Sequence, residues 1–186
     1  MQTTVTLSKK SGKGLSRGVS SELTAFFHIR PGHTEELVAA IQRFQEKAQP
    51  KDTSVFEKVG LRTQRHVIFD NGTRVMWCTA FDTDWDPYID DAIEIFGAAS
   101  WIDWMQHTVE YPEGMENASN VQIKQLLQSV QEQAITFFDA FPNHTLSQIK
   151  KALLVNRTFE WILDNPEAAE ALEHPALKPL LEQAAD

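Results

Sequence analysis

The chain has 186 residues, with 17 lysines and arginines against 26 aspartates and glutamates, and so a formal net charge of −9. Its 42% hydrophobic content, including 11 Phe and 5 Trp, is ample for a packed core and excludes a disordered chain. The acidic balance argues against nucleic acid as a partner, and no apolar run approaches the ~20 residues that span a bilayer. The single cysteine, Cys78, excludes a disulfide framework and a cysteine metal cage.

Residues 1–19 carry Lys9, Lys10, Lys13 and Arg17 with no acid, which leaves −13 on the rest. The glycines there (Gly12, Gly14, Gly18) match neither a dinucleotide fingerprint nor a phosphate-binding loop, and the stretch lacks the apolar core of a secretory signal. It reads as a flexible basic tail, and a cytoplasmic location is the default expectation. Leu23 to Arg30 then alternates as a strand, with Leu23, Ala25, Phe27 and Ile29 on one face and Pro31-Gly32 as its stop. Thr34 is a helix N-cap, with Glu35 and Glu36 placed where the helix dipole favours acids. Leu37, Ile41, Phe44 and Ala48 follow at helical spacing up to Pro50.

Asn71-Gly72 between two β-rich runs predicts a type I′ hairpin, whose two-residue loop fixes the register. One face then carries Ile68/Val75, His66/Trp77, Gln64/Thr79 and Arg62/Phe81. The other carries Phe69/Arg74, Val67/Met76, Arg65/Cys78 and Thr63/Ala80. The second face, smaller in its side chains, is the one expected to meet helices, which would bury Arg65. The first, with Phe26, is then exposed and too apolar for water, so two copies stacked about a two-fold axis are expected to cover it.

Asp86-Pro87 opens a helix that Gly97 closes, and Ser100 restarts it through Trp101, Trp104 and His107 to Tyr111-Pro112. Ser119 and Gln122 form a capping box ahead of Ile123, Leu126, Leu127 and Val130. Ala134–Phe141 reads as a final strand or as an extension of that helix. Thr145 and Gln148 repeat the capping box before a long helix, which Asn165-Pro166 breaks. The organisation expected is a tail (1–19), an α+β domain (20–145) and a C-terminal helical extension (146–186). The α+β domain has a ferredoxin-like βαββαβ order and an antiparallel sheet.

The segment FFHIRPGHTEELVAAI resembles the strand–Pro-Gly–helix opening of the dimeric α+β-barrel superfamily, which includes antibiotic-biosynthesis-type and haem-degrading monooxygenases, chlorite dismutases and dye-decolourising peroxidases. Leu61 to Pro112 is similar to a bacterial branch with an Arg-bearing strand, an Asn-Gly turn, an acidic helix start and a His before Tyr-Pro. Here these are Arg65, Asn71-Gly72, Asp84–Asp91, His107 and Tyr111-Pro112; where the branch carries a His three residues before the strand Arg, this chain has Arg62. The resemblance spans residues 20–165 and implies a homodimer. In its haem-binding members, a His from the helical layer ligates iron between sheet and helices.

Arg65 and His107 are the candidate catalytic pair, with Phe27, Met76, Trp101 and Trp104 as the ligand-binding lining. Arg65 is read either as a partner for a ligand anion or as half of an internal ion pair with Asp82, Asp90 or Asp91. His107 is either a helix-terminal residue that complements the dipole or, if haem is bound, the iron ligand. The acidic cluster from Asp82 to Asp91 lacks calcium-loop spacing, and no metal site is otherwise expected. His66 reads as a structural histidine on the dimer-side face. The function expected is binding of a small apolar or aromatic molecule, with cofactor-independent monooxygenase-type oxidation as its enzymatic form. The alternatives are a non-catalytic binding or assembly module and a haem protein.

Overall fold

A computed structural model describes residues 14–47 and 54–184 of the chain. It divides into two compact units, one ending at Leu146 and one starting at Ser147. The first is a mixed α+β unit with a five-stranded antiparallel sheet: β1 (Ser16–Arg17), β2 (Ser20–His28), β3 (Leu61–Phe69), β4 (Arg74–Phe81) and β5 (Gln131–Glu132). The strands run β1-β2-β4-β3, and β5 joins β2 on the same edge as β1, higher along the strand. Helices α1 (Thr34–Lys47), α2 (Ser54–Val59), α3 (Trp85–Phe96), α4 (Ala98–Met105) and α5 (Asn120–Val130) complete the unit. Among the described residues, no helix is long and apolar enough to cross a membrane.

The Asn71-Gly72 turn forms as its sequence dictates. Asp70, Asn71 and Gly72 all have positive φ (53°, 53° and 80°), and two overlapping turns close the hairpin, Gly72 N–H donating to Phe69 C=O and Thr73 N–H to Asp70 C=O. The pairs Phe69/Arg74 through Thr63/Ala80 are those the turn imposes, but the expected Arg62/Phe81 pair does not form. Leu61 faces Phe81 instead, and Arg62 is the extra residue of a bulge.

The two faces of the hairpin are the reverse of the expectation. Strand β2 pairs Ala25 with Trp77 and Phe27 with Val75, so the apolar side of β2 and the larger side of the hairpin share one face. That face meets the helices. Trp77 lies edge-on to Trp101 at 5.1 Å, Phe27 edge-on to Trp104 at 5.1 Å, and Phe81 stacks on Tyr88 at 3.8 Å. Burying Phe, Trp and Val removes far more apolar area from water than burying Met76, Cys78 and Ala80, and that difference decides the side. Arg65 therefore stands on the open face, exposed, and His66 among the aromatic rings of Phe44, Trp77 and Trp104. Ile68, Val75, Trp77 and Phe81, expected at a dimer face, belong to this core or pack against it.

Two other expectations are corrected. Ser16–Arg17, expected within the tail, pairs with β2; residues 1–13 lie outside the described ones, as does the Ala48–Pro50 helix end. Ala134–Phe141 is neither strand nor helix. The edge of β2 is occupied by β1 at Ser20 and Ser21, so β5 pairs only at Thr24 and Ala25 before the chain leaves the ladder. The Ser119–Gln122 capping box does form, with both its hydrogen bonds in place.

The second unit contains most of α6 (Leu146–Leu163), then α7 (Ala169–Leu172) and α8 (Lys178–Ala184), separated by 3-10 turns at Pro166–Ala168 and Pro175–Leu177. Asn165 caps the first of these turns through its Oδ1, which explains the break at Asn165-Pro166. Helix α6 has no buried residue, and Leu153, Leu154, Val155 and Trp161 are exposed.

His66 generates a pH prediction. Its Nε2 has no hydrogen-bond partner among the described residues, and burial pulls its pKa down to about 4 from the usual 6.5. The unfolded chain therefore takes up a proton that the folded chain refuses. Stability is complete above pH ~6.5 and falls, by on the order of 3 kcal/mol, as pH drops toward 4. Urea denaturation at pH 7 and pH 4.5 should show this loss, and His66→Phe should remove most of it; an unchanged pH dependence in the variant would assign the loss to other groups.

Candidate functional site

Past β5 the chain turns so that residues 134–138 face the open side of the sheet across a cavity of about 380 Å³. The sheet contributes Glu22 and Thr24 from β2, Cys78 and Ala80 from β4, and Thr63 and Arg65 from β3; the crossing segment contributes Ala134, Thr136, Phe137 and Phe138. The volume is at the lower end of the 300–1,000 Å³ usual for small-molecule sites.

A latch holds the crossing segment in place. The bulge at Arg62 aims its guanidinium at three acceptors: Nε donates to Asp82 Oδ1 at 2.5 Å, Nη1 to Asp139 Oδ2 at 2.6 Å, and Nη2 to the His144 carbonyl. Asp82 also accepts from Leu146 N–H, and Asp139 from Phe141 N–H at 2.6 Å. All three charged side chains are almost covered. Burial alone would raise the Asp139 pKa, but the Ser20 hydroxyl, the Phe141 N–H and the charges of Arg62 and Arg17 outweigh it and hold the carboxyl below its usual value. At the far end, Val19 N–H donates to Pro142 C=O at 2.7 Å. Gly18 is required beside it: its φ is +62°, and a Cβ would stand 2.0 Å from the Pro142 oxygen. Arg17 lies over the ring of Phe138, 5.5 Å from its centroid.

Inside the cavity, Arg65 Nε donates to Cys78 Sγ at 3.1 Å. Both carboxylate oxygens of Glu22 are in use, Oε1 by Leu15 N–H at 2.9 Å and Oε2 by Thr24 Oγ1 at 3.1 Å. The internal ion pair foreseen for Arg65 does not form. Asp82 is taken by Arg62, and Asp90 by Lys124, which also reaches Asp86. These cations account for much of the acidic cluster, and no group of three metal-binding side chains occurs among the described residues.

The other foreseen site residues are dispersed. Phe27, Trp101 and Trp104 are wholly buried core side chains on the helical side of the sheet. Met76 is on the open face, beyond the cavity lining. His107 lies past the end of α4, its Nδ1 3.0 Å from Nδ1 of His33, and burial together with the nearby charge of His33 lowers its pKa. Arg65 and His107 are on opposite sides of the sheet and do not form one polar pair. Sequence reading passed over Arg62, Asp139, Glu22 and the two phenylalanines at 137 and 138. The only local signal was the pairing of a strand-start arginine with the aspartate ending its partner strand.

Comparison of the chain with protein-family models, curated proteins and solved structures returns no significant match.

Removing the latch cation should release the crossing segment and strand two buried carboxylates. Arg62→Met is expected to cost about 3–5 kcal/mol, and Asp139→Asn, which leaves Arg62 with Asp82, clearly less. Amide exchange measured by mass spectrometry should rise first at residues 134–141. Because the Asp139 pKa is lowered on folding, its contribution is present at neutral pH and is lost as pH falls below the ordinary aspartate value.

Proposed function

We propose that this chain is a small-molecule-binding protein of ferredoxin-like architecture, holding an apolar or aromatic ligand between the open sheet face and residues 134–138. The architecture rests on chain order and strand order together. Taken without β1, the strands run β5-β2-β4-β3, with α1 and α2 between β2 and β3 and α3 to α5 between β4 and β5. That is the split βαβ arrangement with a final strand cut to two residues. The ligand reading rests on the cavity, in which Phe137, Phe138 and Ala134 face a sheet floor of Ala80, Cys78, Arg65, Glu22 and threonines.

The remainder of the open face supports a homodimer. Phe26, Val67, Phe69 and Met76 lie there beside Arg74, whose guanidinium sits 5.6 and 5.0 Å from the Phe26 and Phe69 ring centroids, and Val67 is 40% exposed. Stacking two such faces buries this patch and leaves the cavity facing the interface. Oxidation of the ligand, of the monooxygenase type the resemblance implies, is the enzymatic form of the same proposal, and oxygen uptake with candidate phenols is its readout. The haem reading does not fit: Trp101 and Trp104, which would line the haem pocket with His107, are packed into the core, and Arg65 stands on the open face of the sheet, away from His107.

The neutral fluorophore N-phenyl-1-naphthylamine should brighten with the wild-type protein, and Ala80→Phe, which fills the cavity floor, should abolish the signal while the circular dichroism is unchanged. Equal brightening by both proteins would place the probe elsewhere and defeat the reading. Light scattering should give about twice the 21.1 kDa chain mass, falling to one chain in Val67→Glu. A monomeric wild type would remove the dimer from the proposal.

A further inference from the structure

The charge of the ligand is legible in how the polar groups of the cavity are already committed. Arg65 has no carboxylate partner among the described residues, and Asp82, Asp86 and Asp90 of the acidic cluster are paired with Arg62 and Lys124 instead. Its Nε is spent on Cys78 Sγ, which orients the guanidinium plane and leaves both terminal nitrogens, the two-pronged end that matches a planar carboxylate. Glu22, the one carboxylate of the lining, accepts one hydrogen bond on each oxygen, from Leu15 N–H and Thr24 Oγ1. Ala80, Ala134, Phe137 and Phe138 supply apolar surface, and Thr63 and Thr136 add uncharged hydroxyls.

We propose that the ligand is an amphipathic monocarboxylate, its carboxylate on the terminal nitrogens of Arg65 and its apolar or aromatic body against Phe137 and Phe138. This rests on the cavity reading above and deepens it. Arg65 is the one guanidinium of the lining and Glu22 its one carboxylate, so the lining carries no net charge; a singly charged carboxylate on the Arg65 fork meets less repulsion from Glu22 than a doubly charged phosphate would. Because Arg65 is exposed, solvent screens the attraction, and its signature is selectivity more than tight binding.

The test compares 2-naphthoate with its neutral analogue 2-naphthalenemethanol, titrated by fluorescence into the full-length protein. At low ionic strength the wild type should bind the carboxylate about tenfold more tightly than the alcohol, the scale of a charge-assisted hydrogen bond. Added salt should shrink that preference. Arg65→Met should abolish it, bringing the two probes to equal affinity, and Arg65→Lys, which keeps the charge but loses the fork, should retain part of it. Equal affinity of the wild type for both probes, with binding lost in Ala80→Phe, overturns the carboxylate assignment and leaves the cavity reading standing. A preference that survives in Arg65→Met overturns the assignment to Arg65. Absence of binding by either probe overturns this inference and the cavity reading together.

Discussion

Trp77 is buried edge-on against Trp101, and the open side of the sheet is arranged around that contact. Successive residues of a strand point to opposite faces, so placing Trp77 under the helices commits Met76 and Cys78 to the other side. Cross-strand pairing then carries the constraint to β3. His66, opposite Trp77, goes into the core, and Arg65, opposite Cys78, goes out. The same rule through β2 aligns Ala25 and Phe27 with the core and Thr24 and Phe26 with the open face. A single aromatic burial thus sets the chemistry of both surfaces.

The cost of that arrangement is visible in the core. His66, Trp77 and Trp104 each bury a ring nitrogen without a hydrogen-bond partner among the described residues. Such groups are tolerated when the ring area they bring outweighs the lost hydration, and these three pack mutually with Phe44 and Trp101. Tyr88 and Thr79, by contrast, satisfy each other at 2.7 Å, and burial raises the tyrosine pKa. The neutral state of His66 is part of the packing.

The open face is handled by different means. One half carries the crossing segment, fixed by the Arg62 network and by the Gly18–Pro142 contact. The other half is an apolar and cationic surface built from Phe26, Val67, Phe69, Met76 and Arg74. The bulge at Arg62 joins these features. By inserting one residue it turns an arginine that strict alternation would have placed on the core face toward Asp82 and Asp139.

The sequence by itself determined what depends on neighbours along the chain. The Asn71-Gly72 turn gave the hairpin register, because a tight turn centred there sets Phe69 opposite Arg74 and every later pair follows. Ser119 and Gln122 gave the start of α5, and Asn165-Pro166 the break after α6, because caps act within one turn of helix. It also delivered the two residue sets of the hairpin faces, since alternation separates them. Which set meets the helices was decided only by the tertiary structure: both sets contain apolar residues, and the choice depends on how much area β2, α3 and α4 can cover together. The partners of Arg65 were likewise outside local reach, since Asp82 and Asp90 could be removed from it only by Arg62 and Lys124. Arg62 and Asp139 are 77 residues apart. No periodicity links them; a bulge on one side and a two-residue edge strand on the other bring them together, and that meeting anchors the segment that lines the cavity.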